Sequence, residues 1–388
     1  MMPTQTEIDS RMSDVDRVLG EFDNDFYHGQ ADFLQEKTGH FLEDTKVQGA
    51  SPHRWHGKTV VFVPRHLSQL DSVPLGLAIH QLERQAELGM VPPAFVAGTN
   101  MLVGQFGRYL KKMKAVPIER NWMTSPAYSR AFRDKMVQLL QQGENLTVFA
   151  EAGRSADGRL KRMAQMFFDI ADKAQCGNER DILIQPVPLV YDWVPEASYF
   201  HWLQSSRALR KRRRLLGNAL YYGLDLSFYL PRYFISNPVG SVYIGFGEPK
   251  TVKELRIEWA EHEPRIPFRQ HVANYVRGEI AKKQAIPATG LVAYHLEHVG
   301  EATYGALREC VGETTLTMQK QGMNVTSLVE LGMDAADYGL RILKRKGVVG
   351  EKRGRVHIRK PKALQFCAHT VEEQMRLSQE LLQEYPLH

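Results

Sequence analysis

Cysteine is nearly missing from this chain. Three occur in 388 residues, Cys176, Cys310 and Cys367, far apart and odd in number. That pattern supports neither a disulfide framework nor a clustered metal site, and it suits a reducing compartment. Long apolar runs are missing as well. No stretch reaches 18 uninterrupted apolar residues, so no transmembrane helix is expected. The first ten residues are polar and acidic, so no signal peptide is expected and a cytoplasmic location follows. Internal repeats and low-complexity segments are also lacking.

What is present is an ordinary core composition, 43% hydrophobic and 24% charged. It is enough for one large or two to three ordinary domains. Charge is unevenly spread. Residues 1–50 hold eleven acidic and four basic side chains, a net of −7, which leaves +13 for the rest of a chain whose total is +6. A basic body points to anionic partners: phosphorylated substrates, acyl thioesters of CoA or a carrier protein, anionic lipid or nucleic acid.

Residues 5–45 read as helices, with Val15, Val18, Leu19 and Phe22 forming an apolar stripe. A polar link at 48–58 follows. From 59 to 250, strand-like runs at 59–64, 94–97, 115–118, 146–149, 182–191 and 241–246 alternate with helical patterns such as 127–142. This predicts an α/β fold with a mostly parallel sheet and flanking helices. Beyond 286, helical runs at 290–298, 304–320 and 325–346 lead to a hairpin around Val356-His357-Ile358-Arg359, an order resembling a winged helix. The expected division is an N-terminal helical segment (1–50), a central domain (51–285) and a C-terminal helical module (286–388). Residues 207–214 hold six cations in eight positions and precede an apolar stretch at 215–235, broken by Asn218, Asp225, Pro231 and Arg232. The pair reads either as an interfacial segment with a polybasic flank for anionic lipid or as a solvated basic face.

One stretch carries most of the chemistry. His66 and Asp71 lie five positions apart on the loop between the strand at 59–64 and a helix opening at Ser72. Open α/β sheets place their chemistry on such loops. The Asp is close enough to hold the imidazole in one tautomer, giving a base and its orienter with no protein nucleophile supplied. The competing reading makes Asp71 a helix N-cap and His66 a loop histidine. Three later segments end on the same sheet edge: Ala115-Val116-Pro117-Ile118-Glu119-Arg120, Phe149-Ala150-Glu151-Ala152-Gly153-Arg154-Ser155, and the Pro-broken run around Pro186 and Pro188. Two arginines and a small-residue turn suit a phosphomonoester, which needs forked donors and close backbone approach. Ser68 reads as a loop-capping hydroxyl, and Lys111, Lys112 and Lys114 as a solvated helix face. Glu151 is a ligand or a scaffold, and Arg154 a phosphate ligand or half of a salt bridge.

These four segments, in this order, resemble the glycerolipid acyltransferase superfamily, with its H-x4-D, Ile-x-Arg, F-x-E-G-x-R-S and Pro-centred blocks. Within it, residues 91–100, 151–160 and 245–249 are most similar to the bacterial glycerol-3-phosphate acyltransferases. The resemblance implies acyl transfer from acyl-CoA or acyl carrier protein to glycerol 3-phosphate, the first step of phospholipid synthesis, on the cytoplasmic face of a membrane. It implies His66 and Asp71 as catalytic, and Arg120, Glu151, Gly153, Arg154 and Ser155 as substrate-binding, with no metal or further cofactor. Departures are Ala152 in place of the usual glycine, Leu67 in place of a polar or basic residue, and Glu119 where a second arginine is common. Glu119 resembles the acidic residue of the lysophosphatidate enzymes, so 1-acylglycerol 3-phosphate or dihydroxyacetone phosphate is the alternative acceptor. Nucleic-acid binding through the C-terminal module, with Arg353, Arg355 and Arg359, is the alternative of another class. It accounts for nothing at 59–191, and no nucleic acid is expected.

Overall fold

The computed structural model describes residues 2–20, 22–38, 42–68, 70–99, 102, 104–151, 153–194, 196–197 and 240–384. Ala152 and the basic and apolar stretches at 207–235 lie outside the described residues.

Helices α1 (Gln5–Gly20) and α2 (Asn24–Thr38) open the chain. Ile8, Val15 and Val18 form the buried stripe of α1. A short strand, β1 (Thr45–Gln48), follows where the sequence reading expected helix and link. Four partly buried residues carry too little alternation to signal a strand. Parallel pairing with a distant partner, β8 (Val242–Gly245), defines it instead.

The main sheet holds β2 (Thr59–Pro64), β3 (Ala94–Gly98), β4 (Ala115–Ile118), β5 (Leu146–Thr147), β6 (Ile182–Val187) and β9 (Lys250–Thr251) in the order β4-β3-β5-β2-β6-β9. All neighbours run parallel except β9, which is antiparallel to β6. The crossovers are α3 (Ser72–Ala86), α4 (Gly104–Lys112), α5 (Pro126–Gln141) and α6 (Met166–Gln175). Helices on both faces require strands apolar on both sides. In β2, Val60 and Phe62 enter one core cluster while Val61 and Val63 enter the other.

The apolar run 182–191, expected as one strand, divides at Pro188. Proline has no N–H with which to continue the ladder. Residues Ile182–Val187 pair with β2, whereas β7 (Leu189–Tyr191) turns away to pair antiparallel with β8.

Helices α7 (Val252–His262) and α8 (Phe268–Lys283) lead to the C-terminal part: α9 (Ala288–Val299), β10 (Glu301–Thr303), α10 (Tyr304–Lys320), α11 (Thr326–Leu331), α12 (Ala335–Arg345), β11 (Val349–Lys352), β12 (Arg355–Ile358) and α13 (Pro361–Glu384). The expected single helix 325–346 breaks at Gly332, whose φ of +57° leaves the right-handed helical region. The three strands form an antiparallel sheet in the order β10-β12-β11. This part shares its core with the main sheet. One cluster runs from Leu42 and Phe62 through Tyr191 and Val242 to Leu291, Leu340 and Val371. Helix α12, which precedes the hairpin, is docked rather than open. Tyr338 Oη lies 2.9 Å from carboxylates of both Glu43 and Asp192, and Arg345 pairs with Glu43.

Candidate active site

β2 and β5 are hydrogen-bonded neighbours, and the loops leaving their C-terminal ends carry His66 and Glu151. His66 Nδ1 lies 2.9 Å from Asp71 Oδ2. The same oxygen accepts the backbone N–H groups of Leu67 (2.7 Å) and Ser68 (2.9 Å), and Tyr191 Oη donates to Oδ1 at 2.9 Å. Asp71 stands at the N-cap position of α3 but makes no side-chain cap bond. Its carboxylate turns back onto the loop, which decides against the capping reading. With Nδ1–H given to Asp71, the Nε2 lone pair is the one left for chemistry. The ring of Phe149 lies against the imidazole, centroids 4.2 Å apart and planes inclined by 32°.

The Glu151 turn is bonded to the His66 loop from the other side. Glu151 is buried, with Oε1 accepting His66 N–H at 2.7 Å and Oε2 accepting Lys161 N–H at 2.9 Å. Burial raises its pKa, opposed by the charge of Arg65 and by these two backbone donors. Both oxygens are committed to backbone, a scaffold's arrangement. Ser155 returns a bond from its N–H to His66 O at 2.9 Å, and its hydroxyl accepts Gly158 N–H at 3.0 Å. Gly153 has φ +127°, a conformation open to glycine alone. Arg154 Nη1 sits 3.3 Å from Glu196 Oε1, with the arginine side chain 15% exposed.

Arg120 shares the sheet edge but not the cluster. It opens a 3-10 turn after β4 and is exposed. β4 lies three strand positions from β2, about 14 Å at ordinary strand spacing. Its neighbour Glu119 pairs with Arg11 of α1 at 3.1 Å. Ser68 behaves as a loop-capping hydroxyl, accepting Leu70 N–H at 3.1 Å. Lys114, expected in solvent, is buried at φ +67° and bonded to Glu144 at 2.6 Å and to Pro92 O. Its left-handed backbone turns into β4 and sends the side chain to these partners rather than into solvent along α4.

Four participants escaped the sequence reading. Tyr191 orients Asp71, Glu196 holds Ser68 and Arg154, and Lys161 Nζ donates to Gly153 O at 3.1 Å. Arg65 is fully buried and bonded to Gly158 O, Gln284 Oε1 and Thr370 O. Burial lowers its pKa, while Glu151 and Asp71 pull the other way. The only visible hint was its place beside His66 at the end of an apolar strand. Among the described residues, no three His, Cys, Asp or Glu side chains converge as a metal site requires. An apolar cavity of about 80 Å³ opens beside Ser72, lined by Tyr27, Val73, Leu77, Phe95, Leu110 and Met113.

Comparison with known proteins agrees with this geometry. Residues 43–190 match the family described as Acyltransferase. Proteins named glycerol-3-phosphate acyltransferase are similar over about two thirds of the chain. The one from Shewanella loihica is 26% identical over 67% of this chain and 31% of its own length, and that from Aeromonas hydrophila is 27% identical over 64% and 30%. The chain thus spans about a third of the length of these curated relatives. Among solved structures, the 1-acyl-sn-glycerophosphate (LPA) acyltransferase from Thermotoga maritima aligns with a TM-score of 0.38 and 18% identity, covering 66% of this chain and 76% of that one.

Proposed function

We propose, on the match of residues 43–190 to the Acyltransferase family and the similarity to proteins named glycerol-3-phosphate acyltransferase, that the chain is a glycerolipid acyltransferase that moves a fatty acyl group from an acyl thioester to a hydroxyl of glycerol 3-phosphate. The observation that carries this reading is the His66–Asp71 pair, with Asp71 withdrawn from its cap position to hold Nδ1. His66 Nε2 takes the hydroxyl proton as the oxygen attacks the thioester carbonyl. Asp71 stabilises the imidazolium that forms. Collapse of the tetrahedral adduct breaks the C–S bond, and the imidazolium returns the proton to the leaving thiolate. Products are the acyl ester and a free thiol. Arg154 binds the acceptor phosphate, with Gly153 allowing close backbone approach, while Arg120, outside the cluster, is assigned no contact with it. The apolar cavity beside Ser72 receives the start of the acyl chain. Acyl-CoA and acyl carrier protein both satisfy this chemistry as donors, with no further cofactor.

Two alternatives lose ground to specific contacts. Glu119 motivated a lysophosphatidate acceptor, but its carboxylate is engaged by Arg11. Nucleic-acid binding through the C-terminal part needs the helix before the hairpin to be accessible, and α12 is docked through Tyr338 and Arg345. No helix among the described residues is long and apolar enough to cross a membrane. Peripheral attachment to an anionic membrane surface through the basic segment at 207–214 is part of the proposal.

The test is acyl transfer by the purified protein from palmitoyl-CoA and from palmitoyl carrier protein. Glycerol 3-phosphate, dihydroxyacetone phosphate and lysophosphatidate are offered separately, with His66→Ala as control. Transfer to glycerol 3-phosphate, abolished in H66A, is the expected result. Transfer to lysophosphatidate alone overturns the acceptor assignment, and activity surviving H66A overturns the assignment of the base.

A further inference from the structure

Resting on the acyl-transfer reading, we infer that Glu196 is a positioning residue that fixes the distance between the general base and the acceptor's phosphate seat. Glu196 is 3% exposed. Ser68 Oγ lies 2.9 Å from Oε2 and 3.1 Å from Oε1, and Arg154 Nη1 lies 3.3 Å from Oε1. Ser68 belongs to the loop that carries His66 and Asp71, and Arg154 to the turn that carries Glu151 and Gly153. One side chain therefore joins the loop of the base to the turn of the phosphate ligand.

The described residues flanking Glu196 are packed into the core. Trp193, Val194 and Ala197 are buried in the core, and Ala197 N–H closes a turn onto Val194 O. Just upstream, the Asp192 carbonyl accepts Thr289 Oγ1 from α9, and the Asp192 carboxylate accepts Ser241 N–H at 2.8 Å. A carboxylate this deeply buried needs charged partners to repay its desolvation, and among the described residues Arg154 is one beside it. The pairing holds one edge of a long, rotamer-rich guanidinium in place before the acceptor arrives. Pre-organisation of that kind lowers the cost of binding the phosphate. Because Ser68 is anchored by the same carboxylate, moving Glu196 changes the separation of the two loops and not merely their stability. Acceptors differ in the distance from hydroxyl to phosphate, so this separation is a selectivity setting.

The experiment compares wild type, Glu196→Gln and Glu196→Asp, each checked for folding by thermal melting. Initial rates are measured with glycerol 3-phosphate and with 2-hydroxyethyl phosphate, an acceptor without the third carbon. Direct binding of glycerol 3-phosphate is followed by titration calorimetry. In E196Q the acceptor KM should rise about tenfold, the fold-change of losing a modest charged hydrogen bond, with the thioester KM within twofold of wild type. Preference for glycerol 3-phosphate over the shorter acceptor should shrink. E196D, which keeps the charge but falls one methylene short, should lie between the two. An unchanged acceptor KM and preference, or kcat and both KM values worsening together, overturns the inference. If E196Q does not fold, the same criteria apply to E196D. Calorimetry separates the two layers. A wild type that binds glycerol 3-phosphate but transfers nothing sinks the acyl-transfer reading, while weaker binding in the variants still supports the role of Glu196.

Discussion

Replacing Asp71 by Asn isolates charge from geometry at this site. Four donors converge on the carboxylate: three on Oδ2, from His66, Leu67 and Ser68, and one on Oδ1, from Tyr191. An asparagine can set its carbonyl oxygen at the Oδ2 position and keep all three of those bonds. Its amide then faces the Tyr191 hydroxyl, which accepts as readily as it donates. The imidazole keeps its tautomer, and only the negative charge is removed. That charge matters when His66 becomes positive. Opposite unit charges about 4 Å apart, at an effective dielectric constant near 20, attract by about 4 kcal/mol. At 1.36 kcal/mol per decade, kcat should fall about a thousandfold.

The assay is initial-rate transfer of labelled palmitate under saturating substrates, beside Tyr191→Phe as a comparison. Removing that tyrosine hydroxyl costs a bond worth about 1 kcal/mol, hence a rate loss of about fivefold. Both variants should melt within a few degrees of wild type and keep the acceptor KM, because neither touches the arginines. A D71N enzyme within tenfold of wild type would refute the electrostatic role. Equal losses in D71N and Y191F would show that orientation alone governs the rate.

Four further outcomes follow from the same contacts. Glu151→Gln keeps one acceptor oxygen where two backbone N–H groups converge, so denaturant unfolding should show a loss of about 1–3 kcal/mol; a neutral change would disprove its scaffold role. Gly153→Ala meets no close neighbour, only Lys161 Nζ at 3.9 Å, so its cost is conformational, about 1–3 kcal/mol, and a stability equal to wild type would show that the turn relaxes. Arg154→Lys loses the fork and should raise the acceptor KM while sparing the thioester KM; the opposite split would move the phosphate seat elsewhere. Asp192, raised by burial from 3.8 to about 6, contributes stability that is full below pH 4 and lost as pH rises through 6, about 3 kcal/mol in all. Asp192→Asn should flatten that window in urea titrations, and a parallel pH profile in the variant would contradict it.

The parts legible in the sequence are those with local signals. The parallel strands announced themselves because both faces are buried, which leaves continuous apolar runs such as Thr59–Pro64. The His66–Asp71 pair was legible because both residues lie on one loop. Its rival reading as a cap could be settled only by seeing where the carboxylate points. What was illegible depends on chain-distant partners. Glu196 meets Ser68 across 128 positions, and Arg65 reaches Thr370 across 305. Composition misled at Lys114: three lysines in four positions look like a wet surface, yet the left-handed backbone at Lys114 sends that one inward to Glu144. The split at Pro188 was foreseeable in kind but not in destination, since pairing with β8 needs a strand more than fifty residues away.

The C-terminal part also changes character once its contacts are traced. Its helix-and-hairpin order suggests an independent module, yet three of its helices bear on residues next to His66 and near Glu196. Thr289 of α9 and Tyr338 of α12 bind Asp192, four positions before Glu196, and Thr370 of α13 receives Arg65, the residue preceding His66. A buried arginine and a buried aspartate, neither with an ion pair among the described residues, are expensive to maintain. Both lie where the C-terminal part meets the sheet, and both end in hydrogen bonds to it. Tyr338 has one hydroxyl proton for two carboxylates, Glu43 and Asp192, so a proton on Asp192, whose pKa is raised to about 6, completes the set. Removing this part would strip an acceptor from a buried cation next to His66 and a donor from a buried acid next to Tyr191, which binds Asp71. The C-terminal helices therefore brace the residues around the His66 loop, and because they share a core cluster with the main sheet, their loss should cost both activity and the stability of that sheet.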